Sequence, residues 1–91
     1  MTASLRERQS ATAAVYPNPA TDFLLLERVV PKSRFSVFNS NGLSVLEITS
    51  IDLDKKIDIS QLPAGIYHWR MSLPDGRFHG SSFMKLLPYR R

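Results

Sequence analysis

No cysteine occurs in the 91 residues. That excludes a disulfide framework, a thiolate metal site and a cysteine nucleophile. No apolar run approaches the roughly 18 residues that a membrane-spanning helix needs. Met1 to Ala13 are small and polar, with Arg6 and Arg8 but no apolar core of the kind a secretory signal peptide carries. An exported protein would hold such a signal elsewhere, so the chain reads as the end, or an excised piece, of a longer protein. The glycines Gly42, Gly65, Gly76 and Gly80 are too scattered to cradle a phosphate. No serine stands in a Gly-x-Ser-x-Gly setting, so the sequence offers no hydrolase nucleophile.

What is present describes one small domain. Apolar residues make up 43% and charged residues 22% of the chain, a globular rather than a disordered balance. A domain of this size buries a modest share of its surface and should be marginally stable. The net charge of +4 comes from 12 basic and 8 acidic residues. The basic residues are spread along the chain, without the dense stripe or aromatic interleaving of a nucleic-acid binder. They read as a solvated basic surface, and no nucleic-acid partner is expected.

Residues 1–13 read as a flexible linker, 14–87 as the folded domain and 88–91 as a basic tail. Pro17 and Pro19 cannot donate ladder hydrogen bonds, which puts Tyr16 to Pro19 on an edge or in a turn. Asp22 to Arg28 reads as a strand. Arg34 to Ser40 and Leu43 to Thr49 flank Asn41-Gly42, a pair suited to a two-residue turn with both central residues at positive φ. Pairing Ser40 with Leu43 sets Phe38 opposite Val45 and Val37 opposite Leu46. Ile57-Asp58-Ile59 alternates as a short strand with one buried face. Gly65 then supplies a backbone conformation denied to residues with a Cβ.

Ile66 to Leu73 and Arg77 to Leu86 predict a second hairpin. With Asp75-Gly76 as a two-residue loop, Pro74 faces Arg77. Tyr67, Trp69, Met71 and Leu73 then share a core face with Phe78, Met84 and Leu86. His68, Arg70 and Ser72 share a wet face with Arg77, His79, Ser81, Phe83 and Lys85. About seven short strands with regular turn signals predict an all-β, immunoglobulin-like antiparallel β-sandwich.

Chemistry-bearing residues are sparse. In this register His68 and His79 lie on one wet face, about 13 Å apart, too far to share a metal. Asp52, Asp54 and Asp58 could approach a calcium ion, but no loop has EF-hand spacing. Tyr16, Tyr67 and Trp69 could form a sugar-stacking platform. Yet Tyr67 and Trp69 alternate in step with Met71 and Leu73, which is core spacing. Tyr67 is also placed to anchor its hydroxyl on a nearby backbone group, as the corner tyrosine of immunoglobulin domains does. No catalytic, cofactor or metal site is expected.

Four phrases in order carry a resemblance. Tyr16-Pro17-Asn18-Pro19, followed by Ala20, Asp22 and an apolar strand, resembles the opening motif of type A C-terminal sorting domains of the type IX secretion system. Phe35 to Asn39 with Asn41-Gly42-Leu43 resembles the family's middle hairpin. Ile57-Asp58-Ile59-Ser60 with Leu62-Pro63-Ala64-Gly65-Ile66-Tyr67 resembles its most recognisable phrase. Ser82 to Leu86 resembles its closing strand.

The resemblance implies a non-catalytic signal at the C-terminus of exported proteins of Bacteroidota. A separate signal peptide takes the cargo to the periplasm. The outer-membrane translocon then reads the folded domain. A surface sortase removes the domain and joins the cargo to anionic lipopolysaccharide at the cell surface. The implied partners are the translocon, the sortase and an N-terminal cargo domain.

Pro17, Asn18, Pro19, Asn41, Gly42, Pro63, Gly65 and Tyr67 are expected to act structurally, setting turns and locking the first and last strands. Recognition of a terminal strand through main-chain hydrogen bonds tolerates varied sequence. That makes Arg77 to Leu86 the expected docking element, with Phe83 and Lys85 as its contacts. Two other readings remain: an extracellular β-sandwich adhesion or carbohydrate-binding module, and a small domain that self-associates through an exposed edge.

Overall fold

A computed structural model describes residues 13–51 and 54–87. The expected linker, the basic tail and Asp52 of the calcium reading fall wholly or largely outside the described residues. Among those described, no three His, Asp or Glu side chains come close enough to hold a metal ion.

Seven strands form in chain order: β1 (Ala14–Tyr16), β2 (Phe23–Glu27), β3 (Ser33–Phe38), β4 (Ser44–Ile51), β5 (Lys55–Asp58), β6 (Gly65–Ser72) and β7 (Phe78–Lys85). They build two antiparallel sheets, one ordered β1-β2-β5 and the other β4-β3-β6-β7. Strand alternation explains the core between them. Leu24 and Leu26 of β2 and Ile57 of β5 point inward from the smaller sheet. Phe35 and Val37 of β3, Tyr67, Trp69 and Met71 of β6, and Phe83 of β7 meet them from the larger sheet. Trp69 packs 6.0 Å from Phe35, centroid to centroid, and Tyr67 stacks on Phe83 at 5.5 Å. The sequence-predicted all-β sandwich is the observed fold.

Both hairpins turn differently from expectation. In the first, the Asn39 N–H donates to Leu43 O and the Gly42 N–H to Asn39 O, each at 2.9 Å. The loop is therefore Ser40-Asn41-Gly42, one residue longer than the Asn-Gly pair. Of these only Gly42 has a positive φ, +84°. In the second, the Leu73 N–H donates to Arg77 O at 2.8 Å and the Gly76 N–H to Leu73 O at 3.0 Å. That loop is Pro74-Asp75-Gly76, with Gly76 at φ +92°. Each is an ordinary β-turn followed by a left-handed glycine, the common three-residue hairpin connection.

The extra loop residue has opposite effects. Phe38 pairs with Ser44 rather than Val45, but a bulge at Val45 restores Val37 opposite Leu46. No bulge compensates in the second hairpin, where Ser72 pairs with Phe78, Tyr67 with Phe83 and Gly65 with Lys85. A one-residue slip sends every side chain of a strand to the other face. Phe83 and Lys85 therefore face the core, 3% and 1% exposed, while Phe78 and Met84 face water. His79 also turns inward. Its ring meets Trp69 edge-on at 6.2 Å and its buried Nε2 has no hydrogen-bond partner. His68 is exposed and on the opposite face from His79.

Candidate functional site

Apart from Asn41 and Gly42, the residues singled out by sequence gather around the closing strand. The chain leaves β1 at Tyr16 and passes through Pro17, Asn18 and Pro19, with both X–Pro bonds cis. It then runs alongside β7, where Ala20 pairs with Lys85 in a parallel bridge. The Ala20 N–H donates to Met84 O and the Leu86 N–H to Ala20 O, both at 2.8 Å. Neither proline has an N–H to offer this edge. The Asn18 side chain supplies what the backbone lacks. Its Oδ1 accepts from the Met84 N–H at 3.0 Å and its Nδ2 donates to Ser82 O at 3.4 Å. A side-chain amide has the same donor and acceptor chemistry as a peptide group, so Asn18 stands in for a residue of a neighbouring strand. Ala20 is fully buried in this seam.

The second phrase reaches β7 from the other side. The Leu62 N–H donates to Ile59 O at 3.0 Å, tightening the turn before β6. The Tyr67 hydroxyl donates to Pro63 O at 2.6 Å, four residues upstream. Gly65 opens β6 at φ +153° and pairs with Lys85. Lys85 thus lies between Gly65 on one side and Ala20 on the other. Its Nζ donates to Leu86 O at 3.3 Å. Phrases distant in sequence meet around one buried lysine. Asn41 and Gly42 belong to the β3–β4 loop instead. There Asn39 Oδ1 accepts from the N–H groups of Asn41 and Leu43, both at 3.0 Å.

Sequence reasoning placed Ala20 and Asn39 inside motifs but gave neither a role. The signal for Ala20 was present, since a small residue directly after Pro-Asn-Pro suits a close strand approach. Asn39 stands two residues before the Asn41-Gly42 pair, where an Asx side chain can cap a tight turn.

A cleft of about 470 Å³ is lined by Asp22, Phe23, Lys56, Asp58 and Ser60. The Lys56 Nζ lies 4.5 Å from the Phe23 ring centroid. Asp58 Oδ1 accepts from the Ser60 hydroxyl and, second in effect, from the Ser60 N–H, which lowers its pKa. Tyr16 donates its hydroxyl to the Glu27 carboxylate, which raises the phenol pKa. Tyr67 and Trp69 are buried while Tyr16 is exposed, so these three do not form an open stacking platform.

A family model described as a secretion system C-terminal sorting domain matches residues 14–77. The matched segment ends just before β7. Among solved structures, the chain is similar to PorZ, an essential bacterial surface component of the type-IX secretion system of Porphyromonas gingivalis. The TM-score is 0.67 at 14% identity, covering 81% of this chain. This chain spans 11% of that protein, and the likeness speaks for the fold. No curated protein matches.

Proposed function

The chain belongs to the family of secretion-system C-terminal sorting domains, and we propose that it directs an attached cargo through the outer-membrane translocon of a type IX system. The cargo crosses the periplasm, the translocon reads the folded domain, and a surface sortase then cleaves within residues 1–13. The released cargo is held at the cell surface, with anionic lipopolysaccharide as its attachment. The domain itself performs no chemistry in this reading. The family match over most of the folded region carries it. The seam supports it further, because a recognisable folded signal needs its two ends locked together, and Asn18 and Ala20 do this on β7.

Phe83 and Lys85 serve docking indirectly in this account. Both are buried and hold the closing strand in place. The groups that β7 presents to a translocon are its outward side chains, such as Met84, and its uncovered main chain.

The test is export of a fluorescent reporter with an ordinary signal peptide at its start and residues 1–91 at its end. It is run in a bacterium with a type IX system and in a translocon-deficient strain. Translocon-dependent release with loss of the domain is the expected result. Periplasmic retention of a folded reporter in both strains rejects the reading and favours an extracellular binding module. Lys85→Ala, melted alongside wild type, separates folding from contact. The indirect role predicts that lost export and lowered melting go together.

A further inference from the structure

The two sheets have four edges, and three are blunted. β1 is three residues long and runs into Pro17. β5 is four residues long and carries Lys55 and Lys56. β7 is covered from Ser82 to Leu86 by Asn18 and Ala20. Short length, proline, lysine and a covering segment are the usual protections against edge-to-edge pairing. β4 has eight residues, no proline and no lysine, and among the described residues no strand pairs with its outer edge. Its single charged side chain, Glu47, turns to Arg34 at 3.7 Å.

β4 runs into a basic cleft. A space of about 420 Å³ opens between Lys32 and Arg34 of β3 and its entry, Thr49 and Ser50 of β4, and Ser72 of β6, with Leu73 as an apolar wall. Two cationic and three hydroxyl-bearing residues line it, which is donor chemistry for a carboxylate that competes with their present contacts. The Arg34–Glu47 pair is exposed on both sides, and such pairs are weak and readily exchanged.

We propose that the free edge of β4, together with this cleft, receives an extended acidic segment of a partner protein. The segment adds as a strand beside β4 and places a carboxylate between Lys32 and Arg34. Bulges limit the ladder. Register breaks at Val45 and again at Thr49–Ser50, leaving Leu46 to Ile48 as the regular run. So short a ladder supplies little affinity, and the carboxylate supplies the selectivity. A bulge also re-aims the chain locally. Binding is therefore expected to be salt-sensitive. The proposal goes beyond the sorting reading, in which β7 faces the translocon, by giving the opposite edge of the same sheet a contact of its own. Its test is independent of export.

The experiment is an NMR titration of isotope-labelled residues 1–91 with the acetylated, amidated hexapeptide Val-Glu-Val-Glu-Val-Glu, beside its lysine counterpart. Amide shifts are expected along β4 and at Lys32 to Arg34, with the glutamate peptide bound at least about tenfold more tightly at low salt. The Lys32→Glu/Arg34→Glu variant, checked for unchanged melting, should lose that preference. Arg34→Glu alone serves if the double variant does not fold. No shifts up to about 10 mM peptide, shifts centred on β7, or equal responses to the two peptides would overturn the proposal. So would free acetate acting as well as the peptide, because an anion site needs no strand. Failure of export with intact peptide binding rejects the sorting reading and leaves this one standing.

Discussion

The two hairpins of the larger sheet share one turn and differ in one residue's fate. Both close with a three-residue loop ending in glycine, at φ +84° for Gly42 and +92° for Gly76. In β3–β4 the chain spends its surplus residue at once, as the bulge at Val45. In β6–β7 it carries the offset along all eight pairs. Loop length alone therefore does not decide which face of a strand is buried. What decides it is whether the strand can accommodate a bulge, and β4, an exposed edge, has room for one. β7 lies between β6 and the Asn18–Ala20 segment along half its length, where a bulge would break hydrogen bonds on two sides.

Removing one residue from each strand should break the comparison most sharply. Deleting Ser81 shifts the rest of β7 and turns Phe83 outward, at a cost of at least about 3–5 kcal/mol, comparable to losing a buried phenylalanine. For a domain this small, the expected outcome in urea is an unfolded chain. Deleting Val45 removes only the bulge, leaves Val37 opposite Leu46, and should cost under about 1 kcal/mol. Similar losses for the two deletions would mean that the bulge is not what decouples loop from register.

A milder version exchanges side chains within β7. Phe83→Ala should cost about 3–5 kcal/mol. Phe78→Ala, at a ring 62% exposed beneath the Arg70 guanidinium, should cost under about 1 kcal/mol. The alternative register predicts the reverse order. Gly42→Ala and Gly76→Ala then test whether the turns are equivalent. Both place a Cβ in the left-handed region, and both should cost about 1–2 kcal/mol by thermal melting.

The smallest effect separates the loops by chemistry. Each is tied by a side-chain oxygen, that of Asn39 in the first and Asp75 in the second. Asp75 accepts the Arg77 N–H at 3.0 Å and pairs with its guanidinium at 2.9 Å, which lowers its pKa, the backbone bond first. A carboxyl depressed in the folded state contributes stability above its unfolded value near 3.8. That contribution disappears as pH falls through the folded value below it. Acid should therefore loosen the second loop and leave the first unchanged. Asp75→Asn should flatten part of the acid limb of a melting-temperature profile, and the part due to Asp58 should remain.

The seven strands were legible because turn residues separate short, mostly apolar runs. The orientation of β7 was not legible, and hydropathy argued against it. Phe78, Met84 and Leu86 share one face, while His79, Ser81, Phe83 and Lys85 share the other. Counting apolar residues selects the first as the core. The fold selects the second, because Tyr67 needs Phe83 to stack against and Ala20 needs a strand beside it. The motif residues could be picked out singly. That Asn18 and Gly65 flank the same strand could not, since sequence spacing carries no information on a parallel bridge between residues 65 apart.

Asn18 reaches Met84 across 66 positions of chain. So distant a contact is among the last that a folding polypeptide can make. During synthesis the first motif emerges long before the strand it must grip, and a chain broken off before Ser82 never provides that strand. Closure of the seam is therefore a check on completeness, made by the molecule on itself: a domain that has folded has been translated at least as far as its final strand.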